Sequence, residues 1–236
     1  MRRLALVIVT AAATLSSPAV ETPAASEDGA MTPMSSIGRL KDGNATFVAH
    51  PEAALPITSE RRMELAKGQT PFASVLSCAD SRVPPEVVFH TGLGDLFVVR
   101  AAGQVTDRSV LASLEYAAEH LHSPIIVIMG HESCGAVKAA MDTPATKSLG
   151  VNLDYLLKSI RPAVTASAAE PESSRLRVAI LKNVEDSLND VVEGSPLLKK
   201  MLNDGEIGVV GAYYELGSGR VHFSDAVIKT PAGAHK

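Results

Sequence analysis

Pro124-Ile-Ile-Val-Ile-Met-Gly-His-Glu-Ser-Cys-Gly135 is the stretch from which the rest of the chain can be read. Its first half, Pro124 to Met129, is an unbroken apolar run without polar alternation. Such a run suits a strand covered on both faces, as in a parallel sheet, rather than a strand with one wet side. Its second half sets an imidazole and a thiol three residues apart, His131 and Cys134, at the carboxyl end of that strand and on the opening turn of the helix that should follow.

Working outward, three further runs share the texture: Pro71 to Ser77, bounded by Gly68 and by the polar Asp80-Ser81-Arg82, then Leu96 to Arg100, and Ile207 to Ala212. Each reads as a strand. Between the second and third, Val110, Leu114, Ala117 and Leu121 recur at helical steps behind Thr106-Asp107, which offers a cap and predicts a crossover helix. Helices are also expected over 37–48, 58–66, 152–167 and 174–192, the last with Leu176, Ile180, Val184, Leu188 and Val191 on one face. Arg220 to Val227 alternates weakly after Gly217-Ser-Gly219, which predicts an antiparallel edge strand hairpinned to the fourth. The predicted fold is α/β: a single domain with a mostly parallel four-stranded sheet, one antiparallel edge strand, and flanking helices.

The chain has 236 residues, 46% hydrophobic and 20% charged, enough for one sizeable core. Aromatics are only 4% and Trp is absent, so Ala, Val, Leu and Ile must do most of the packing. A net charge of -4 gives no broad footprint for nucleic acid or an anionic membrane, and no nucleic-acid partner is expected.

Arg2-Arg3 precedes the apolar run Leu4 to Leu15, followed by small residues at Ser17-Pro18-Ala19 and Thr22-Pro23-Ala24. This reads as a secretory signal peptide over 1–24, with cleavage between 19 and 26, a flexible segment over 25–36, the domain over 37–230 and a tail over 231–236. The apolar run is too short to span a bilayer comfortably, so no stable membrane anchor is expected and the product is read as periplasmic or secreted.

Two cysteines, Cys78 and Cys134, are all the chain has. In an oxidising compartment a disulfide is the ordinary outcome, and that reading stays open. Against it stand His131, three residues before Cys134, and Asp80, two residues after Cys78, which a bridge does not need. Two thiolates and one imidazole make three protein ligands, the number that leaves tetrahedral zinc one open position, and this donor set selects zinc over magnesium or calcium. If the first and third strands are neighbours with the second beyond the first, the three ligands meet in the crevice at a topological switch point. Because two thiolates cancel the charge of Zn²⁺, help from further residues is needed. Asp80 could accept a hydrogen bond from the nucleophile, with Arg82 holding it in a forked pair; released, the same carboxylate could close on the metal.

Cys78-Ala-Asp-Ser-Arg-Val83 with Pro85-Glu86, and Gly130-His-Glu-Ser-Cys-Gly-Ala-Val137, closely resemble the two zinc signatures of β-class carbonic anhydrases. Gly94-Asp-Leu-Phe-Val-Val-Arg100 and Gly68-Gln-Thr-Pro71 are similar to family segments in the same order, so the likeness runs from about Phe47 to Ala226. It implies reversible hydration of CO2 to bicarbonate and a proton by zinc-bound hydroxide, with one Zn(2+) per chain. Cys78, His131 and Cys134 would be the metal ligands, Asp80 the gate and an occasional fourth ligand, Arg82 its catalytic partner. Gln69, Phe97 and Tyr116 match positions that line the CO2 pocket, some contributed across a dimer interface. A homodimer or dimer of dimers, with the N-terminal helices packing on a partner subunit, is implied in the same way. Ala101-Ala102-Gly103-Gln104 departs from a stretch where the family commonly carries Asn, and the lack of Trp removes one member of a noncatalytic bicarbonate site found in some relatives.

Unperturbed imidazole titrates near 6.5, so His90, His120, His122 and His222 are candidate proton shuttles, and spacing does not choose among them. Glu115, Glu119 and His120 read as a solvated helix face. Two rival functions fit the same ligands: hydrolysis of carbon disulfide or carbonyl sulfide, and a non-enzymatic structural zinc site closed by Asp80.

Overall fold

The computed structural model describes residues 31–224; the expected leader and its expected cleavage site, the last part of the expected edge strand (225–227) and the expected tail over 231–236 lie outside the described residues. Five strands, β1 (Ala73–Cys78), β2 (Leu96–Ala101), β3 (Ile125–His131), β4 (Gly208–Tyr214) and β5 (Val221–Phe223), form one sheet in the order β2-β1-β3-β4-β5. The first four are parallel, and β5 is antiparallel to β4. β1, β3 and β4 are buried along their whole length, which is why their sequences carry no alternation. β2 is different. Leu96-Phe-Val-Val is as apolar as the others, yet most of this edge strand is only half-buried within one chain.

Eight helices complete the described residues: α1 (Pro33–Ala49), α2 (Ser59–Leu65), α3 (Pro85–Val88), α4 (Arg108–Glu119), α5 (Gly135–Asp142), α6 (Val151–Ala166), α7 (Glu172–Gly194) and α8 (Pro196–Asp204). One face of the sheet packs Val75, Val127 and Met129 against Ile37 and Leu40 of α1 and Val88 of α3. The other packs Leu76, Ile126, Ile128 and Val209 against Val110 and Leu114 of α4, Leu188 and Val191 of α7, and Leu198 and Leu202 of α8. No helix among the described residues is long and apolar enough to cross a membrane.

Three boundaries differ from the sequence expectation. α1 begins at Pro33, so the last four residues of the segment expected to be flexible are helical. The cause is a reciprocal cap: Thr32 Oγ1 accepts from Ser35 N–H at 3.1 Å, and Ser35 Oγ accepts from Thr32 N–H at 2.9 Å. α8 was not expected, although Ser195 caps it by accepting from Leu198 N–H, Pro196 opens it and left-handed Gly205 (φ 75°) closes it. The short α3 was not expected either. The crossover helix α4 is capped by Asp107 alone, which accepts from Ser109 and Val110 N–H, while Thr106 donates to Asp190 at 2.6 Å.

The chain leaving β1 goes to β2 on one side, and the chain leaving β3 goes to β4 on the other. The carboxyl ends of β1 and β3 therefore diverge into a crevice.

Candidate metal centre

Cys78 is the last residue of β1, and His131 is the last residue of β3. Cys134 is the N-cap of α5. His131 ends the strand and Cys134 opens the helix, as expected, so the two are not brought together by helical spacing. A tight turn does it instead: Ser133 adopts φ 54°, a left-handed conformation that reverses the chain between strand and helix. Cys78 Sγ, Cys134 Sγ and a ring nitrogen of His131 all lie within 4.8 Å of one another, and all three residues are buried. The two thiols are free of any disulfide.

The imidazole tautomer follows from its neighbours. Nδ1 lies 2.8 Å from the carbonyl oxygen of Glu132, which can only accept, so Nδ1 carries the proton and Nε2 offers a lone pair. Nε2 is buried with no hydrogen-bond partner among protein groups. An orphaned buried nitrogen beside two sulfurs is costly unless something satisfies it. A tetrahedral zinc ion fits: bonds of about 2.3 Å to sulfur and 2.0–2.1 Å to nitrogen put such donors roughly 3.5–3.8 Å apart. The hydrogen bond from Cys134 pulls the Cys78 thiol down to about 4, opposed by burial and helped by the Gly103 and Asp80 backbones. Cys134 is pushed up by that same bond and by burial.

Asp80 and Arg82 form the forked pair expected of them. Arg82 Nε donates to Asp80 Oδ1 at 2.9 Å and its terminal nitrogen to Oδ2 at 2.7 Å, while Arg82 N–H also donates to Oδ1 at 3.0 Å. This guanidinium holds the Asp80 carboxyl well below the usual carboxylate range. Asp80 Oδ2 remains 3.9 Å from His131 Nε2, adjacent to the donor cluster without closing it.

Three contributors were not singled out from sequence. Arg100, at the end of β2, donates to the carbonyls of Cys78 at 3.0 Å and Asp80 at 2.5 Å, so it ties down the loop that carries both. Gly103 N–H donates to Cys78 Sγ at 3.2 Å, and Asn183 Nδ2 of α7 holds the Gly103 carbonyl at 2.7 Å. The signal for Asn183 was a polar residue on the apolar face of the expected helix.

Gln69, Phe97 and Tyr116 are not brought to the cluster within one chain. Phe97 and Tyr116 meet, with ring centroids 6.2 Å apart, and Tyr116 is 49% exposed. Gln69 lines a cleft of about 640 Å3 with Arg62, Lys67 and Leu93. The β1–β2 register pairs Cys78 with Ala101 and Ser74 with Phe97. Phe97 thus stands four residues, roughly 13 Å of strand, from the level of Cys78. Of the four candidate shuttles, His120 lies against Tyr116 with ring centroids 5.2 Å apart and planes tilted by 45°, and His222 meets Glu215 at 3.2 Å. Glu115 is not purely solvated as expected, since it accepts from Ser195 Oγ at 2.5 Å.

A family model described as "Carbonic anhydrase" matches residues 73–221. The chain is 36% identical over 200 residues to carbonic anhydrase 2 of Mycobacterium tuberculosis, covering 83% of this chain and 94% of that one. It is 39% identical over 196 residues to the carbonic anhydrase of Mycolicibacterium smegmatis, covering 80% and 92%. Among solved structures, a tetrameric β-carbonic anhydrase from Sordaria macrospora superposes with a TM-score of 0.64 at 26% identity, covering 79% of this chain and 93% of that one. The β-carbonic anhydrase of Coccomyxa, solved with acetazolamide, superposes with a TM-score of 0.65 at 26% identity, covering 71% and 78%. With fold order, donor set and these likenesses in agreement, the chain belongs to the β-class carbonic anhydrases.

Proposed function

We propose that the protein catalyses reversible hydration of CO2 to bicarbonate and a proton, with one zinc ion per chain held by Cys78, His131 and Cys134. The orphaned, buried Nε2 of His131 beside two sulfurs carries this assignment. When bound, the ion supplies Lewis acidity, making a water molecule acidic enough to act as a nucleophile near neutral pH. The chain's own residues do the rest. Asp80, kept ionised by Arg82, accepts a hydrogen bond and orients the attacking oxygen. Arg82 engages both Asp80 oxygens, so it would restrain this carboxylate from serving as a fourth ligand, which favours an enzyme over a closed structural site.

Phe97 supplies an apolar wall and Gln69 a donor for CO2, whose oxygens accept only weakly. The register offset of Phe97 and the half-buried β2 support a homodimer, or a dimer of dimers, in which these residues serve the neighbouring subunit's metal. Export to the periplasm or beyond, after removal of residues 1–24, is part of this reading and rests on the Arg2-Arg3 and Leu4 to Leu15 pattern.

Zinc-loaded protein assayed on CO2, carbon disulfide and carbonyl sulfide tests the assignment. Fast CO2 hydration, rising from neutral to alkaline pH, is expected. Negligible CO2 turnover with rapid sulfide release would make it a hydrolase of the sulfur analogues instead.

A further inference from the structure

We propose that Asn183, on α7, is a positioning residue for the metal-binding sulfur of Cys78, acting through the backbone of Gly103. The inference rests on the Cys78, His131 and Cys134 centre proposed above. It begins with an awkward turn. Residues Ala102–Gln104 follow β2 behind Cys78, and two successive residues there are left-handed, Gly103 (φ 64°) and Gln104 (φ 45°). Glycine tolerates that conformation, and a Cβ at 103 would also crowd Ile160 Cδ1 at 2.9 Å and Ala136 Cβ at 3.2 Å. Gln104 has no such tolerance. It is buried, and neither of its amide atoms finds a protein partner that would compensate locally.

What holds the turn comes from a helix some eighty residues away. Asn183 Nδ2 donates to the Gly103 carbonyl at 2.7 Å, and Ser187 Oγ, one helical turn on, donates to the Gln104 carbonyl at 3.2 Å. Both side chains are buried. The geometry they enforce leaves the Gly103 N–H aimed at Cys78 Sγ. A donor on a ligating thiolate stabilises its negative charge and fixes the direction of its lone pairs, and removing such outer contacts typically costs about 10- to 100-fold in metal affinity or activity. Asn183 therefore acts on the centre without touching it. Asn44 offers a contrast. It is equally buried and binds the carbonyls of Val88 and Gly219 and the N–H of Val221, none of which reaches the metal ligands.

Cobalt-loaded full-length protein supplies the test, read by the thiolate-to-cobalt charge-transfer band and by the rate of cobalt release to a chelator. Asn183→Leu, which keeps volume and removes the donor, should displace the band and speed release by about tenfold. Ser187→Ala should displace the band less and in the same direction. Asn44→Ala should lower thermal stability with the band unmoved. A wild-type band and release rate in Asn183→Leu would overturn the proposal, as would an equal displacement in Asn44→Ala. Where Asn183→Leu does not fold, an unmoved band in Ser187→Ala overturns it alone. A wild-type protein that takes up no cobalt removes the centre itself, and this proposal with it.

Discussion

Asp80 and Arg82 carry the sharpest predictions at the level of single side chains, because their side chains are joined by two hydrogen bonds and neither is a required ligand. Asp80→Ala should lower CO2 hydration roughly 10- to 100-fold while the protein keeps its zinc, measured by stopped-flow assay alongside metal analysis. Arg82→Ala should also keep the metal and lose activity, since the freed carboxylate, now 3.9 Å from His131 Nε2, can swing onto the ion. Cys78→Ala and His131→Ala should lose metal altogether. An Asp80→Ala protein that loses zinc as readily as Cys78→Ala would make Asp80 a structural ligand. The donors were legible in the sequence because the chain has only two cysteines, and each stands within three residues of a chemically distinct partner, Asp80 or His131. Gly103 and Arg100 were not, because each acts on Cys78 through backbone geometry that no residue type announces.

Among the elements, α1 and α4 show how far local sequence governs the scaffold. Gly43 of α1 lies so close to the Phe89 backbone that a Cβ there would overlap its carbonyl oxygen. Gly43→Ala should therefore cost several kcal/mol, roughly the range of overpacked cores, or prevent α1 from docking; chemical denaturation checks it. Asp107→Ala should cost about 1 kcal/mol by removing the cap of α4. The hydrogen bonds from Val110 and Ser109 lower the Asp107 carboxyl below its ordinary value, so its stabilisation is present above about pH 4 and is lost as pH falls through the folded value. The difference between wild type and Asp107→Ala should shrink correspondingly in acid. β1, β3 and β4 were readable because burial on both faces leaves only apolar residues to choose from. α8 carried its signals in Ser195, Pro196 and Gly205, but it is short and follows a 23-residue helix, so its pattern merged with that of α7. The early start of α1 escaped because its cap is made by Thr32 and Ser35, within a stretch whose composition reads as a linker.

For the whole molecule, the apolar β2 edge and the half-exposed Tyr116 are surfaces that a second copy of the chain should cover. Sedimentation should give a dimer or a multiple of it. Mixing Cys78→Ala with Phe97→Ala subunits should restore activity that neither has alone, because each mixed pair contains one intact metal site served by an intact Phe97 from across the interface. No restoration on mixing would place Phe97 in the same subunit as the metal it serves. The central claim is that two sulfurs and one ring nitrogen grip a single divalent ion, and metal analysis of purified protein paired with a thiol count after chelation tests it most directly. One zinc per chain with two thiols recovered is the expected result; no metal and no free thiol, the signature of a Cys78–Cys134 disulfide, would contradict it.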